Sequence, residues 1–500
     1  MKFLSSAHKA TQRFLNSRRY GSSCRRFSHA LNPNGCSGHY YCTSPNKLSY
    51  SNKIEDDVKR IDLDIISRQI IKPSSPTPQH LRTFNLSIID QYMYDFYTPF
   101  SIFIPNINKA SITDVVTKRS KHLKQSLSVT LTRFYPLAGK FKDEQQIECN
   151  DEGICYTEAQ VNQTLQDFLA HPDDERVRGL IPESPCNAES SKGNYVLGIQ
   201  VNVFKCGGIG LCGSLSHKII DGHTFSLFME AWAATARGSQ ETISPSFVGS
   251  EIFPNNPCLE YSLPSKLLAT KKLSTKRFVF DSKALALLKA QPVSSASSTH
   301  PPTRMEATSS VIWKATAQAA SKVRPFGPQS PHALFSVVNL RKRASPPLPK
   351  ESIGNLIEGA GAICFPGGGR LDLPTMMGEV RESIAKINSE YIESMKGDKG
   401  HEKFNDMLRG LNQLVGVTAE GYCLMATSML NSRVYELDFG WGKPIWFYHM
   451  NAGIARILTL NDTLKGGGVE AIVTLSPDEM EIFEHDQELL SYATLNPSPL

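Results

Sequence analysis

Hydrophobic and polar residues alternate along several short stretches of the chain, which is the pattern of β-strands. The clearest alternation covers residues 195–203, where large apolar side chains are separated by small or polar ones. It predicts a strand with one buried face. The pair Gly207-Gly208 then predicts a hairpin turn, and residues 211–217 form the returning strand. Further strands are predicted at residues 63–68, 332–340, 445–447, 454–460 and 469–475.

Apolar residues spaced three or four apart predict helices elsewhere. Between residues 224 and 236, Phe228, Met229 and Trp232 share one face, and Gly222 marks the start of this helix. The same spacing predicts helices at residues 111–128, 308–321, 376–391 and 477–490. Mixed strands and helices of this kind, without an internal repeat, indicate a protein of the α/β or α+β class.

The chain is too long for a single compact core. At about 150 residues per domain, a length of 500 residues predicts two or three domains. We predict an N-terminal domain at residues 61–265 and a C-terminal domain at residues 303–500. A crossover linker at residues 266–302, which ends in a stretch rich in Ser, Thr and Pro, would join them. Residues 1–60 would form a separate leader.

The leader differs from the rest of the chain in charge. Residues 1–50 contain eight Lys or Arg, nine Ser and no Asp or Glu. An amphipathic, Ser-rich segment with basic but no acidic residues is typical of an organelle transit peptide. We therefore expect a mitochondrial location, with the plastid and the cytoplasm as alternatives. Of the 54 Lys and Arg residues, 46 remain in the rest of the chain, against all 48 Asp and Glu.

This near-neutral balance excludes several classes of protein. It gives no electrostatic reason to expect nucleic-acid binding. No run of 18 apolar residues occurs, so we expect no membrane span. Eleven Cys without a C-x-x-C pair predict reduced thiols rather than a disulfide scaffold or a zinc ribbon. The sequence also lacks spaced metal ligands, phosphate-binding glycine loops and a Gly-x-Ser-x-Gly elbow, so we expect no metal and no bound cofactor.

The strongest chemical signal lies in residues 214–222, which read Ser-Leu-Ser-His-Lys-Ile-Ile-Asp-Gly. A predicted strand ends at His217, and a short loop leads to the helix that Gly222 opens. A strand end holds a side chain rigidly, and an imidazole can accept a proton near neutral pH. His217 is therefore a candidate general base. The alternatives are a packing role for His217 and a helix-capping role for Asp221.

A second segment, residues 438–442, reads Asp-Phe-Gly-Trp-Gly. Gly440 and Gly442 on either side of Trp441 indicate a tight backbone path that excludes side chains. Asp438 lies between two apolar residues, so we expect it to be buried and paired with a cation. We interpret this segment as structural.

These two segments, in this order, resemble the two signatures of the plant BAHD acyltransferases. Three further stretches resemble segments of the same family: residues 70–78, residues 134–140 and the Val-Asn-Leu-Arg stretch at 338–341. The match covers nearly all of residues 61–500. Its details resemble the branch that contains vinorine synthase and other alkaloid acetyltransferases.

The resemblance implies a fold and an activity. The fold would be that of the CoA-dependent acyltransferases, similar to chloramphenicol acetyltransferase, with two similar mixed-sheet domains and a central channel. The protein would be a monomeric O-acyltransferase that uses acyl-CoA, with acetyl-CoA the expected co-substrate. Its acceptor would be a small-molecule alcohol such as a plant alkaloid. His217 would take the hydroxyl proton, and no acyl-enzyme would form.

The resemblance also implies roles for other residues. Asp221 and Gly222 would shape the catalytic loop, with Asp221 turned away from substrate and paired with an Arg. Asp438 would pair with Arg341 far from the chemistry, as part of a structural signature with Gly440, Trp441 and Gly442.

One departure from the family pattern concerns the oxyanion. Many members carry Thr-Ser-Trp where this chain has Thr427-Ser428-Met429. Without the indole donor, oxyanion stabilisation is left to Thr427 or to the backbone. Two other functions remain open at this point: an N-acyltransferase that acts on an amine, and a non-catalytic relative that binds CoA or a metabolite.

Overall fold

Two large mixed β-sheets carry the fold. The computed structural model describes residues 61–93, 96–182, 195–240, 242–259, 267–293, 300–327, 330–365, 372–417 and 421–500. The predicted leader and its targeting signal lie outside the described residues.

The strands of the described chain follow one another in this order: β1 Leu63–Ile71, β2 Thr83–Asn85, β3 Tyr97–Ile104, β4 Lys140–Phe141, β5 Gln146–Glu148, β6 Ile154–Val161, β7 Leu197–Phe204, β8 Ile209–Ser216, β9 Ser274–Phe280, β10 His332–Asn339, β11 Ile357–Cys364, β12 Tyr422–Ser428, β13 Trp446–His449, β14 Ile457–Asp462, β15 Val469–Leu475 and β16 Thr494–Leu495. All the strands predicted from alternation are present, with small shifts at their ends. Alternation did not predict the remaining strands of the described chain, which are β2, β3, β4, β5, β6, β9, β11, β12 and β16.

The first large sheet has the order β1-β6-β7-β8-β3-β13, and the second has the order β11-β10-β12-β14-β15-β9-β16. Both mix parallel and antiparallel neighbours: β6 and β7 are parallel in the first sheet, as are β10, β12 and β14 in the second. A small third sheet contains β2, β5 and β4. This architecture agrees with the predicted mixed-sheet fold.

Helices cover these sheets. In the described chain they are α1 Ile88–Tyr92, α2 Ile112–Asp114, α3 Ser120–Arg133, α4 Leu165–Ala170, α5 Asp174–Arg178, α6 Gly222–Ala236, α7 Gly249–Ile252, α8 Ser282–Lys289, α9 Arg304–Val323, α10 Leu373–Ala385, α11 Ser389–Ser394, α12 Gly400–Val417, α13 Pro477–Phe483 and α14 Gln487–Leu490. A π-helical turn at Val115–Arg119 joins α2 to α3.

Two of the predicted helices are each divided in two. The helix predicted at residues 376–391 is interrupted because the Asn388 side chain accepts a hydrogen bond from the Tyr391 amide and starts α11. Asp486 likewise starts α14 inside the helix predicted at residues 477–490. Short polar side chains that can cap a helix therefore end these apolar patterns earlier than their periodicity implies.

The first sheet is buried on both faces. One face packs against α3 and α6, where Trp232 donates hydrogen bonds to the Leu123 carbonyl and the Ser126 hydroxyl at 3.2 and 3.1 Å. The other face contributes Phe103 and Phe204 to a separate apolar cluster. Every residue of β7 and β8 is consequently buried. The prediction of a half-buried strand at residues 195–203 is therefore wrong, because both faces of the sheet are covered.

Strand β13 links the two large sheets. It lies in the C-terminal half of the chain, yet it pairs with β3 at the edge of the first sheet. Its Trp446 indole donates to the Glu470 carboxylate of β15, with oxygen distances of 3.2 and 3.3 Å. Glu470 forms a buried ion pair with Arg277 of β9, and the Arg277 guanidinium lies 4.8 Å from the Trp446 ring centroid. Trp446, Glu470 and Arg277 thereby connect the two large sheets, and the opposite charges of Glu470 and Arg277 compensate each other.

The predicted crossover linker needs correction. Within residues 266–302 the chain forms β9, which pairs with β15 and β16 in the second sheet, and α8, which packs in the same core. The second sheet thus begins inside the segment that its mixed composition led us to treat as a linker. Burial does not alternate regularly along β9, so its sequence did not predict a strand. The predicted domain boundaries otherwise remain a prediction.

The expectation of reduced thiols is wrong for one residue. Cys155, on β6, is disulfide-bonded. Free thiols belong to six other described cysteines: Cys149, Cys206, Cys212, Cys258, Cys364 and Cys423. Among the described helices, none combines the length and the hydropathy that crossing a bilayer requires.

Candidate active site

His217 is the first residue after β8, as the sequence predicts. Its backbone is held on both sides: the His217 amide donates to the Phe96 carbonyl at 3.0 Å, and its carbonyl accepts from the Asn355 Nδ2 atom at 2.7 Å. The imidazole meets the Phe96 ring edge-on, with 5.3 Å between centroids. The ring remains partly exposed, although its neighbours Ser216 and Lys218 are buried. The side chain is therefore fixed in place and still reachable.

Asn355 fixes the state of the His217 ring as well as its position. Its Nδ2 atom donates to the Asp90 carboxylate and to the His217 carbonyl, which leaves its Oδ1 atom as the free acceptor. The His217 Nδ1 is buried, and the His217 backbone carbonyl and the Asn355 side chain both act on the ring as acceptors that raise its pKa. These acceptors favour a proton on Nδ1, and the lone pair is then left on Nε2.

The surroundings keep His217 neutral. Burial lowers the pKa of His217 below its ordinary value of 6.5. Its own backbone carbonyl, the charge of Asp221 and the Asn355 side chain act in the opposite direction but do not reverse the shift. At neutral pH the imidazole is thus unprotonated, which is the state that a general base requires.

Asp221 turns away from the imidazole and pairs with Arg341. The Arg341 Nη1 and Nη2 atoms lie 2.7 and 3.3 Å from the two carboxylate oxygens, and both side chains are almost fully buried. Asp221 also caps α6 by accepting from the Thr224 amide at 2.8 Å. Burial alone would raise the pKa of Asp221, but the Arg341 charge and the hydrogen bonds hold it below its usual value.

The Asp221 carboxylate therefore does both things that were expected of it: it caps a helix and it pairs with an Arg. These contacts fix the loop 217–221 to Arg341 and to the start of α6. It leaves Asp221 without a direct role toward a substrate.

A second buried carboxylate supports Asn355 from behind. Asp90 Oδ1 accepts from the Asn355 amide and side chain at 2.7 and 2.9 Å, and Asp90 Oδ2 accepts from the Ser87 amide and hydroxyl. Burial raises the pKa of Asp90 despite these hydrogen bonds. The sequence analysis missed both Asp90 and Asn355. Their roles depend on contacts across 265 residues of chain, and the only local signal was the Ser87–Asp90 capping pattern.

Gly222 is required by a close contact. A Cβ atom at this position would lie 2.6 Å from the Met429 sulfur, so Met429 packs directly against the start of α6. Thr427, the candidate oxyanion donor, is the second-last residue of β12 and is partly exposed, two residues before Met429. The structure therefore brings the end of β12 to the catalytic loop. The oxyanion role of Thr427 stays a prediction.

The predicted pairing of Asp438 with Arg341 is wrong. Arg341 is occupied by Asp221, while Asp438 is only half-buried and accepts from the backbone amides of Gly440 and Gly442 at 2.8 and 3.3 Å. Two backbone donors satisfy the carboxylate locally, so it needs no buried cation. Gly440 and Gly442 have φ angles of 101° and 131°, which favour glycine and make this local turn possible.

Trp441 shows what the second signature contacts. Its ring lies 5.5 Å from the Arg119 guanidinium and 6.0 Å from the His122 ring, both on the π-turn and α3 segment. Phe439 packs edge-on against Trp232 of α6 at 5.3 Å. The segment 438–442 thus packs the C-terminal half onto the helices of the first sheet, in agreement with the structural interpretation.

His449, at the end of β13, is a residue of the site that the sequence analysis did not identify. Burial, followed by the charge of the nearby His217, lowers the pKa of His449 to about 4. A second imidazole therefore lies within electrostatic range of the first. No motif surrounds His449, so nothing in the sequence indicated its position. Among the described residues, no group of three or more His, Cys, Asp or Glu side chains is arranged to hold a metal ion.

Comparison with known proteins agrees with this geometry. Residues 61–490 match the model of the Transferase family. The chain belongs to this family, the BAHD acyltransferases. It is therefore an acyl-CoA-dependent acyltransferase.

Similar proteins place this BAHD acyltransferase among enzymes of plant specialised metabolism. A limonoid 7-O-acetyltransferase of Citrus sinensis is 37% identical over 459 residues, which cover 87% of this chain and 99% of that protein. Akuammiline synthase 2 of Alstonia scholaris is 32% identical, over 88% of this chain and 98% of that protein.

Solved structures support the same fold. Vinorine synthase is 30% identical and superposes with a TM-score of 0.74, covering 88% of this chain and all of that one. TRI101 of F. sporotrichioides, at 19% identity and a TM-score of 0.63, shows the fold alone. The two-domain mixed-sheet architecture predicted for a BAHD acyltransferase is thus confirmed.

Proposed function

We propose that this BAHD acyltransferase transfers an acetyl group from acetyl-CoA to a hydroxyl group of a polycyclic plant metabolite, with His217 as the general base. The observation that carries the proposal is the His217 ring itself. It is neutral and partly exposed, and its own backbone carbonyl and the Asn355 side chain favour the tautomer that leaves Nε2 free. The acetyl donor is supported by the limonoid acetyltransferases among the similar proteins.

The reaction needs two proton transfers, one from the acceptor hydroxyl to His217 and one from His217 to the leaving thiolate. His217 Nε2 takes the hydroxyl proton while the oxygen attacks the thioester carbonyl, and the carbonyl electron pair moves onto its oxygen. When this tetrahedral intermediate collapses, the carbon–sulfur bond breaks. The thiolate of CoA leaves and receives the proton from the imidazolium. No side chain becomes acylated, in keeping with the absence of an activated nucleophile beside His217 in the described residues.

The remaining groups position this base. The Asp221–Arg341 pair fixes the loop, and Asn355 fixes the tautomer. His217 lies where β8 of the first sheet meets segment 352–356 of the second half, and we infer that acyl-CoA and the acceptor approach it from opposite sides. Such positioning lowers the entropic part of the barrier.

The acceptor is a hydroxylated polycyclic compound. The limonoid 7-O-acetyltransferase of Citrus sinensis, at 37% identity, is more similar than akuammiline synthase 2, at 32%. We therefore rank limonoid alcohols ahead of the precursors of akuammiline as acceptors.

The proposal is tested by incubating residues 61–500 and the full chain with acetyl-CoA and alcohols of both classes. Release of free CoA thiol and a product heavier by one acetyl group are the expected results. Malonyl-CoA and benzoyl-CoA serve as donor controls, and amine analogues of each alcohol serve as acceptor controls. Amide products without esters would contradict O-acylation, and CoA binding without any transfer would identify a non-catalytic relative.

A further inference from the structure

His449 lies on the same side of the first sheet as α6, the helix that follows the catalytic loop. In the antiparallel pairing of β13 with β3, His449 is opposite Phe100. Phe100 contacts Phe225, in the first turn of α6, with 4.9 Å between ring centroids. At the start of the same β3, the Phe96 carbonyl and ring hold His217. The two imidazoles thus flank one end of β3.

The His449 ring is fixed by packing and yet is not fully covered. It stacks on Phe447 with an interplanar angle of 11° and a centroid distance of 6.4 Å, and Phe447 stacks in turn on Phe225. The residues on either side of it, Tyr448 and Met450, are buried, whereas His449 is partly exposed. The ring is therefore partly accessible, and His217 lies close enough to act on its charge.

The tautomer of His449 follows from its buried nitrogen. Nδ1 of His449 is buried and has no hydrogen-bond partner among the described residues. Burying an unpaired N–H group is costly, so the proton of the neutral ring belongs on Nε2. His217 has the opposite tautomer, since its own backbone carbonyl and the Asn355 side chain act on its ring as acceptors, whereas no acceptor in the described chain acts on His449. One ring thus offers a lone pair, and the other offers an N–H group.

Acyl transfer needs both of these groups. A base must take the hydroxyl proton, and a donor must stabilise the negative charge that develops on the carbonyl oxygen. We propose that His449 is this donor: its Nε2–H group hydrogen-bonds the oxyanion of the tetrahedral intermediate, while His217 holds the proton taken from the acceptor. The inference rests on the proposed acyl-transfer function.

The charge state of His449 suits this role. A cationic group beside His217 would lower the pKa of His217 and so favour the unprotonated base before catalysis. A cation would also attract an anion before the oxyanion of the reaction has formed. With its pKa near 4, His449 is neutral throughout the working range and stabilises charge only when it develops. The charge of Asp221 raises the pKa of His217, and the charge of His217 lowers the pKa of His449.

The first test compares His449→Phe with His449→Gln. Phe keeps the ring that stacks on Phe447 but removes the N–H group, whereas Gln keeps an N–H donor. We expect kcat to fall about 10²-fold in His449→Phe with little change in either KM, and to be partly restored in His449→Gln. An unchanged kcat, or a change confined to the KM of the acceptor, would overturn the oxyanion role.

His332→Phe is the matched control. His332 starts β10, is also held neutral by burial with a pKa of about 4, and stacks among aromatic rings. It lies roughly 30 Å from Arg341 along β10, at the opposite end of that strand from the catalytic network. We expect its kcat to stay within about twofold of the parent value.

The second test does not depend on an acceptor. The trifluoromethyl ketone analogue of acetyl-CoA binds as an oxyanion or hydrate, so its affinity reports the oxyanion donor directly. By calorimetry we expect the parent protein to bind this analogue much more tightly than CoA, and His449→Phe to lose about 10²-fold while its CoA affinity is unchanged. Equal affinity of His449→Phe and parent for the analogue would overturn the inference. Failure of the parent to bind either compound would instead refute the proposed function, and the inference with it.

Discussion

Arg341 forms an ion pair with Asp221, although the two residues are 120 positions apart in the chain. Its two terminal nitrogens lie 2.7 and 3.3 Å from the carboxylate oxygens. The same guanidinium donates to the carbonyls of Ser352 and Gly354, each at 3.0 Å. Gly354 directly precedes Asn355, and Ser352 lies three residues before it. One buried cation therefore sets the loop that presents His217 and the segment that orients its ring.

Removing this cation should destabilise the protein strongly. In Arg341→Ala the Asp221 carboxylate would stay buried without a counter-charge, which costs about 3–5 kcal/mol of the free energy of unfolding. Arg341→Lys should recover only part of this, since an ammonium cannot make the paired contact. Urea titration measures the loss. The surface pair Arg409–Asp406 provides the control, because Arg409→Ala should cost at most about 1 kcal/mol. Equal losses in the two Ala variants would contradict the account.

Asn355 should matter for turnover beyond its contribution to folding. Replacing it with Leu removes the side-chain acceptor that acts on the His217 ring, together with the Nδ2 donor to the Asp90 carboxylate and the His217 carbonyl, so we expect kcat to fall about 10²-fold together with a lower Tm. Asp90→Asn provides the comparison, since it weakens the same support but leaves Asn355 beside the ring. If the two variants lose equal stability, only Asn355→Leu should show the large loss of kcat. A folded Asn355→Leu protein with normal kcat would exclude the tautomer role.

The pH dependence of the reaction should follow His217. Because burial lowers the pKa of His217 below 6.5, the ring loses its proton at a lower pH than a free imidazole. The value of kcat/KM should thus rise tenfold per pH unit on the acidic side, inflect below pH 6.5 and remain level at neutral pH. Initial rates measured across the range in which the protein stays folded test this expectation. An inflection above pH 7 would require a different base.

Glu358, on β11, should make stability depend on pH in the opposite sense to an ordinary carboxylate. Burial raises its pKa from 4.5 to about 7, so the folded protein holds a proton that the unfolded chain has lost between these values. Stability should therefore fall as the pH rises from 4.5 to 7, by up to ~3 kcal/mol. Glu358→Gln should remove this loss and raise the Tm at pH 8, with little change at pH 5. Thermal unfolding at both pH values checks it. A lower Tm for the variant at pH 8 would contradict the assignment.

The sequence predicted best what depends on neighbouring residues. The alternation before His217 and the Gly222 start of α6 are local patterns, and β8, its loop and α6 lie where they predict. Resemblance to a family then supplied the fold, and it supplied the expectation that Asp221 would pair with an Arg. Both are found in the structure.

What the sequence could not determine depends on partners that are distant in the chain. Arg341 pairs with Asp221 rather than Asp438, because Asp438 is satisfied by the backbone amides of its own turn. Asn355 and Asp90 meet across 265 residues, and His449 reaches the site only because β13 crosses to the first sheet. No periodicity or spacing encodes such contacts, since each follows from the packing of whole elements.

The measurement that tests the central claim most directly is the turnover of His217→Ala with acetyl-CoA and the acceptor that the parent protein acetylates. If His217 is the base, kcat should fall by about 10²–10⁴-fold while CoA affinity and Tm stay close to those of the parent. A folded His217→Ala protein that forms the ester at a near-normal rate would contradict the mechanism.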